Sequence, residues 1–168
     1  MDWTLFGAQW LHVILGIFWF GGTLYADIVM VPALSTLPLR QQRDFGAAIG
    51  ARGNLIIPAV ALGAILMGVL RGTVWGQVRS LDALTTTYGL TWLVGLVAAA
   101  ATFAWGYRVI KPALERLATI SDADALSADG APSPTLVRLL DTAKRVTLLE
   151  LVGFLVVFTC MILMRFGY

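Results

Sequence analysis

Four apolar runs, at about residues 5–31, 55–70, 88–110 and 146–164, constrain this chain more than any other feature, because a helix needs ~17–25 such residues to cross a bilayer. With 58% hydrophobic and 13% charged residues and a mean hydropathy of +0.81, polar surface is too scarce to coat a soluble globule. Alternating strand patterns are absent, which argues against a membrane barrel. The expectation is an all-α integral membrane four-helix bundle, one domain over residues 1–168, with the lipid bilayer as its principal partner. No basic residue precedes the first run, which continues through Tyr25 and Met30 without a clean cleavage site; it reads as a retained helix rather than a signal peptide.

Basic residues set the expected orientation. Arg40, Arg43 and Arg52 follow the first run, and Arg108, Lys111, Arg116, Arg138, Lys144 and Arg145 follow the third, whereas the opposite side carries only Arg71, Arg79 and Arg165. The positive-inside rule then puts both termini outside and the two basic loops in the cytoplasm. The net charge of +2 reflects these loop residues and points to no nucleic-acid partner. Cys160 is the sole cysteine, so an intrachain disulfide is excluded.

Prolines punctuate the connections. Helix one is expected to end at Pro32, since proline cannot continue the backbone ladder. The mixed stretch 39–54 reads either as an extension of helix two or as an interfacial segment, with Pro58 a kink point. Helix three is expected to run into Leu114-Glu115-Arg116-Leu117, with Pro112 as its bending point. Residues 121–133 are small, acidic and breaker-rich, the pattern of a flexible cytoplasmic loop, and Ser133-Pro134 is a good start for helix four. Val31-Pro32-Ala33-Leu34 is echoed by Lys111-Pro112-Ala113-Leu114. Two pseudo-repeated helical hairpins produce such an echo, and so does chance. Aligning the prolines places Tyr25 on Trp105 and His12 on Trp92.

His12 is the only histidine, and it lies inside the first apolar run. A titratable side chain there is costly without a partner and is the default place to look for function. Gly16, Trp19 and Thr23 follow it at helical spacing, and Gly16, Gly21 and Gly22 let a neighbouring helix or a flat ligand approach the backbone. The candidate cofactor-binding residues are thus His12, Gly16, Trp19 and Gly22, with His12 the metal ligand. The competing reading is structural: His12 hydrogen-bonds a neighbour and the glycines serve helix packing. The histidine count excludes bis-histidine ligation within one chain. A haem b would need His12 alone, a methionine such as Met67, Met161 or Met164, or a second His12 across a homodimer. Met161 and Met164 share one face, which also suits Cu(I).

A second constellation comprises Asp27, Arg52, Arg108 and Glu150. Glu150 lies inside its apolar run, where an unpaired charge is expensive, so Arg108 or Arg52 is its expected partner. The cluster reads as structural ion pairing or as a proton-transfer or anion-binding site. No phosphate loop, nucleophile triad or paired-cysteine motif occurs, leaving soluble-type hydrolase and nucleotide chemistry unsupported.

Leu11-His12, Trp19-Phe20-Gly21-Gly22 and Pro32-Ala33-Leu34 resemble the first helix of the copper-resistance protein D (CopD) domain and its four-helix relatives in the bacterial inner membrane, and more distantly that of the HemJ-type protoporphyrinogen oxidases. The CopD branch implies copper uptake. The HemJ branch implies haem-linked oxidation of protoporphyrinogen with a first-helix histidine ligating haem b; only His12 carries over from it. This chain is shorter than the CopD branch and poorer in histidine and methionine. The leading expectation is a haem b-associated or redox-linked membrane protein acting through His12. The alternatives are a non-catalytic subunit of a larger membrane complex, and copper or small-solute transport past Asp27 and Glu150.

Overall fold

The computed structural model describes residues 2–127 and 131–168. Four helical spans, Trp3–Leu34, Leu39–Thr73, Thr87–Thr119 and Pro134–Arg165, are long and apolar enough to cross a membrane, the architecture of a multi-pass membrane protein. Each is longer than its apolar run because polar helical extensions continue it at one or both ends. Side-chain oxygens start three of them. Asp2 accepts from the Thr4 and Leu5 amides at 2.9 and 3.1 Å, Thr86 from Gly89 at 3.1 Å, and Ser133 from Leu136 at 3.1 Å. Each satisfies amides that a first helical turn leaves without a partner.

Helix one does not stop at Pro32. It runs as α1 (Trp3–Tyr25), widens into a π-helical turn at Ala26–Met30, and resumes as α2 (Val31–Leu34). Span three has the same construction: α4 (Thr87–Trp105), a π turn at Gly106–Ile110, and α5 (Lys111–Thr119). A proline ring collides with the carbonyl four residues before it. The extra residue of a π turn moves that carbonyl aside, so the helix bends and continues instead of ending. Span two is the single helix α3 (Leu39–Thr73), which carries the 39–54 stretch without a break and passes through Pro58. Between α5 and span four, residues 121–133 carry structure where described: α6 (Asp122–Ala125), a bridge between Leu126 and Pro132, and a Ser133 amide bonded to the Ala125 carbonyl at 2.9 Å. Residues 128–130 of that stretch lie outside the described residues.

The spans pair as two hairpins, α1 with α3 and α4 with α7 (Pro134–Arg165), joined where α3 meets α4. The hairpins share one internal register. Both π turns, and the prolines that follow them, occupy positions related by the same offset that aligns Pro32 with Pro112. At the centre Trp19, Ala61, Ala64 and Phe154 are buried, with Phe20, Phe103 and Phe158 packed around them. The rings meet edge to face at 4.7–6.5 Å between centroids, the arrangement their quadrupoles favour.

Small residues let the backbones approach. A Cβ on Gly72 would enter the Trp92 indole, one on Gly153 would strike Thr102, and one on Gly95 would press on Cys160. This is how helices pack where lipid removes the hydrophobic gain of association. Gly72→Ala is therefore expected to cost about 1–3 kcal/mol through overpacking. Gly21→Ala, with open space at its Cβ, should leave stability unchanged or raised; thermal unfolding in detergent compares the two.

Candidate functional site

One face of span one carries His12, Gly16, Trp19, Thr23 and Asp27, separated by three or four residues and hence stacked along the helix. This face turns toward the other spans and brings two separate polar sites into the bundle, one at each end of the aromatic core.

At the end nearer the termini, His12 Nδ1 lies 2.9 Å from the Ala64 carbonyl oxygen on α3. A carbonyl only accepts, so Nδ1 carries the proton and Nε2 keeps its lone pair. Among the described residues Nε2 has no hydrogen-bond partner. The ring lies over Gly68, whose missing side chain makes the room: a Cβ there would sit 3.1 Å from His12 Cε1. One turn further along α3, the Trp92 indole N–H approaches the Gly68 carbonyl at 3.4 Å and its ring covers Gly72. His12 and its counterpart Trp92 thus seat their rings on successive turns of the same helix. Next to Gly72, Arg71 Nε donates to Gln9 Oε1 at 2.8 Å. Gln9 precedes His12 by three residues and shares its side of the helix, a spacing visible in the chain but uninformative until α3 supplies Arg71.

The remaining proposed pocket residues divide. Trp19 is 6% exposed and committed to the core against Phe103 and Phe154. Gly16 is half-buried, Gly22 is exposed, and open space lies beside both. Met67, Met161 and Met164 are half-buried. Among the described residues no three His, Cys, Asp or Glu side chains converge as a metal-ion group.

At the basic end, Glu150 is 8% exposed and presses against the second π turn, where a Cβ on Gly106 would lie 3.0 Å from Glu150 Oε1. Asp27 lies in the first π turn. Two ring contacts fix the relative height of the helices: Phe154 meets both Trp19 and Phe20 at 4.9 and 5.3 Å. From that layer Glu150 is four residues and Asp27 seven to eight residues toward the basic end, about 6 and 11 Å at helical rise. Asp27 Oδ2 is buried without a hydrogen-bond partner.

The expected cationic partners are elsewhere. Arg52 and Arg108 are exposed, and among the described residues the ion pairs are Lys111–Glu115 at 3.9 Å and Arg145–Asp141 at 2.8 Å. Arg108 follows Gly106, the residue touching Glu150, by two positions, about 200° around a helix, and so points away. Lys111 also lies over the Tyr107 ring at 5.1 Å. The structure therefore leaves both arginines outside, away from the buried Glu150. Arg52→Ala and Arg108→Ala should each change stability by no more than about 0.5 kcal/mol. A loss of several kcal/mol in either, by thermal unfolding, would reveal a bond to Glu150. No family model, curated protein or solved structure matches the chain.

Proposed function

We propose that the chain is a redox-linked membrane protein of the bacterial inner membrane that holds a haem b through His12 Nε2. The observation that carries this reading is the hydrogen bond from His12 Nδ1 to the Ala64 carbonyl. Histidine ligands of metals characteristically donate their second ring N–H to a carbonyl or carboxylate, which fixes the ring and raises the basicity of the ligating nitrogen. The donor set fits a haem better than a bare metal ion, because a haem brings its own four nitrogens and asks the protein for an axial ligand.

In this reading Gly16 and Gly22, with open space at their Cβ positions, leave room for a flat group along span one. Trp19 acts as the packed floor beneath it rather than as a stacking surface, since its ring is held by Phe103 and Phe154. The bound haem would supply one-electron chemistry. The chain's own residues hold the imidazole in one tautomer and keep water from it with the aromatic core. The purified wild-type protein, from cells with adequate haem supply, is expected to show a Soret band with matching iron content. His12→Ala should lower haem occupancy about tenfold or more. A colourless protein, copper without haem, or undiminished occupancy in His12→Ala would overturn the assignment.

The membrane orientation proposed with it has both termini outside, because nine of the 12 Lys and Arg residues cluster at the opposite end of the bundle. A reporter active only outside the cytoplasm should be active when fused after Tyr168. Inactivity there, with activity of a cytoplasm-dependent reporter at the same place, would invert the topology.

A further inference from the structure

We infer that Arg71, its guanidinium held by Gln9, is the anion anchor of the His12 site: it receives a carboxylate of the flat group whose metal His12 Nε2 takes, a propionate where that group is a haem. The inference rests on the haem reading above and adds the residues that recognise the ligand's charge.

Two bonds between span one and α3 place Arg71 in that site. His12 Nδ1 meets the Ala64 carbonyl at 2.9 Å, and Gln9 Oε1 accepts from Arg71 Nε at 2.8 Å. On span one Gln9 and His12 stand three residues apart; on α3 Ala64, Gly68 and Arg71 follow at spacings of four and three. Each set therefore lies on one strip of its own helix. The strips run antiparallel, since Gln9 meets Arg71, His12 meets Gly68 and Ala64, and Leu15 meets Gly63. Arg71 is about 4.5 Å of helical rise beyond Gly68, the residue under the imidazole. In the other direction Gly16, a turn past His12, has open space at its Cβ.

The chemistry of the Arg71–Gln9 pair is that of an anion site. A guanidinium only donates, so Gln9 must present its carbonyl oxygen, which leaves the Gln9 amide nitrogen as a further donor. Among the described residues neither that nitrogen nor the terminal nitrogens of Arg71 have a hydrogen-bond partner, and no acid pairs with Arg71. Arg71 is half-buried, and a cation in a membrane bundle whose only partner is a neutral amide lacks its counter-charge. The acids at this end do not supply one: Asp2 caps α1 and Asp82 is exposed.

Arg79 and Arg165, the other cations at this end, are exposed; Arg71 is tied across to the neighbouring span. An arginine that serves a lipid headgroup extends its head to the interface, whereas the Gln9 bond keeps this one on the strip that carries His12. The planar fork of a guanidinium matches a carboxylate with two parallel N–H···O bonds. The site thus offers one lone pair for a metal and, a turn away, donors alone. That combination complements a metallated ring bearing carboxylates. A bare metal cation would gain nothing from Arg71 and would be repelled by it.

Titration of the whole protein, purified from haem-limited cells, with haemin and with haemin dimethyl ester, whose carboxylates are masked, tests this at the Soret band. Wild type is expected to bind haemin about tenfold or more tighter than the ester, the worth of a charge-assisted hydrogen bond. Arg71→Gln should lower the haemin affinity to that of the ester. It should leave the ester's own affinity and Soret position as in wild type, because His12 still ligates and the fold is intact. Arg71→Lys should restore part of the preference. Equal affinity of wild type for the two compounds, or a preference that Arg71→Gln retains, would refute the anchor and leave the haem reading standing. Equal weakening of both compounds in Arg71→Gln would also refute it, assigning Arg71 to packing or to a lipid phosphate. Binding of neither compound to wild type would overturn the haem reading, and this inference with it.

Discussion

Hydrocarbon offers no hydrogen bonds, and this one constraint organises the interior. Every polar group carried into the spans must be satisfied by the protein or carry a function. His12 meets the condition through the Ala64 carbonyl, Trp105 through the Val146 carbonyl at 2.9 Å, and Thr23 and Thr102 through carbonyls one turn back in their own helices. The bonds from His12 and Trp105 cross between spans and help fix how the spans stand against one another. The bonds from His12 and Trp92 both end on α3, so α3 becomes the seam between the two hairpins. Its Gly68 and Gly72 are where the His12 and Trp92 rings come closest. Asp27 and Glu150 are the exceptions, and an exception to so strict a condition is a reason to look for chemistry.

The prolines turn a local backbone defect into a site. In a soluble helix an interior proline commonly marks an end; here the surrounding hydrocarbon makes a broken helix more expensive than a bent one. The bend is absorbed in a π turn before Pro32 and again before Pro112. Each turn rotates the residues beyond it relative to those before it. Arg108, two residues past Gly106, falls on the far side of the helix from the surface that Glu150 touches.

Particular residues show how much of this was legible in the chain. Four spans, the start of span four at Ser133-Pro134 and the echo between the two Pro-Ala-Leu segments all follow from local composition and caps, which act over one or two turns. The face shared by His12, Gly16 and Trp19 follows from helical period. What that face meets does not. Trp19 is a core ring rather than a pocket wall because Phe103 and Phe154 arrive from spans three and four. Gln9 draws meaning only from Arg71, and Glu150 lacks its expected partner because span four docks on the Gly106 side of span three, a rotation that no local pattern specifies.

The sequence by itself determined that this chain is a helical membrane bundle, where its last helix starts, and that one imidazole and two acids are carried in apolar runs. Hydropathy and capping are short-range properties of the chain and need no partner to be read. Only the tertiary structure decided that His12 faces a backbone carbonyl with one nitrogen left over, and that Glu150 rests against Gly106 while the arginines are exposed. Those outcomes depend on the height and rotation of one helix against another. Close backbone approach at glycines and the interlocking of aromatic rings set both, and neither is encoded within a single turn.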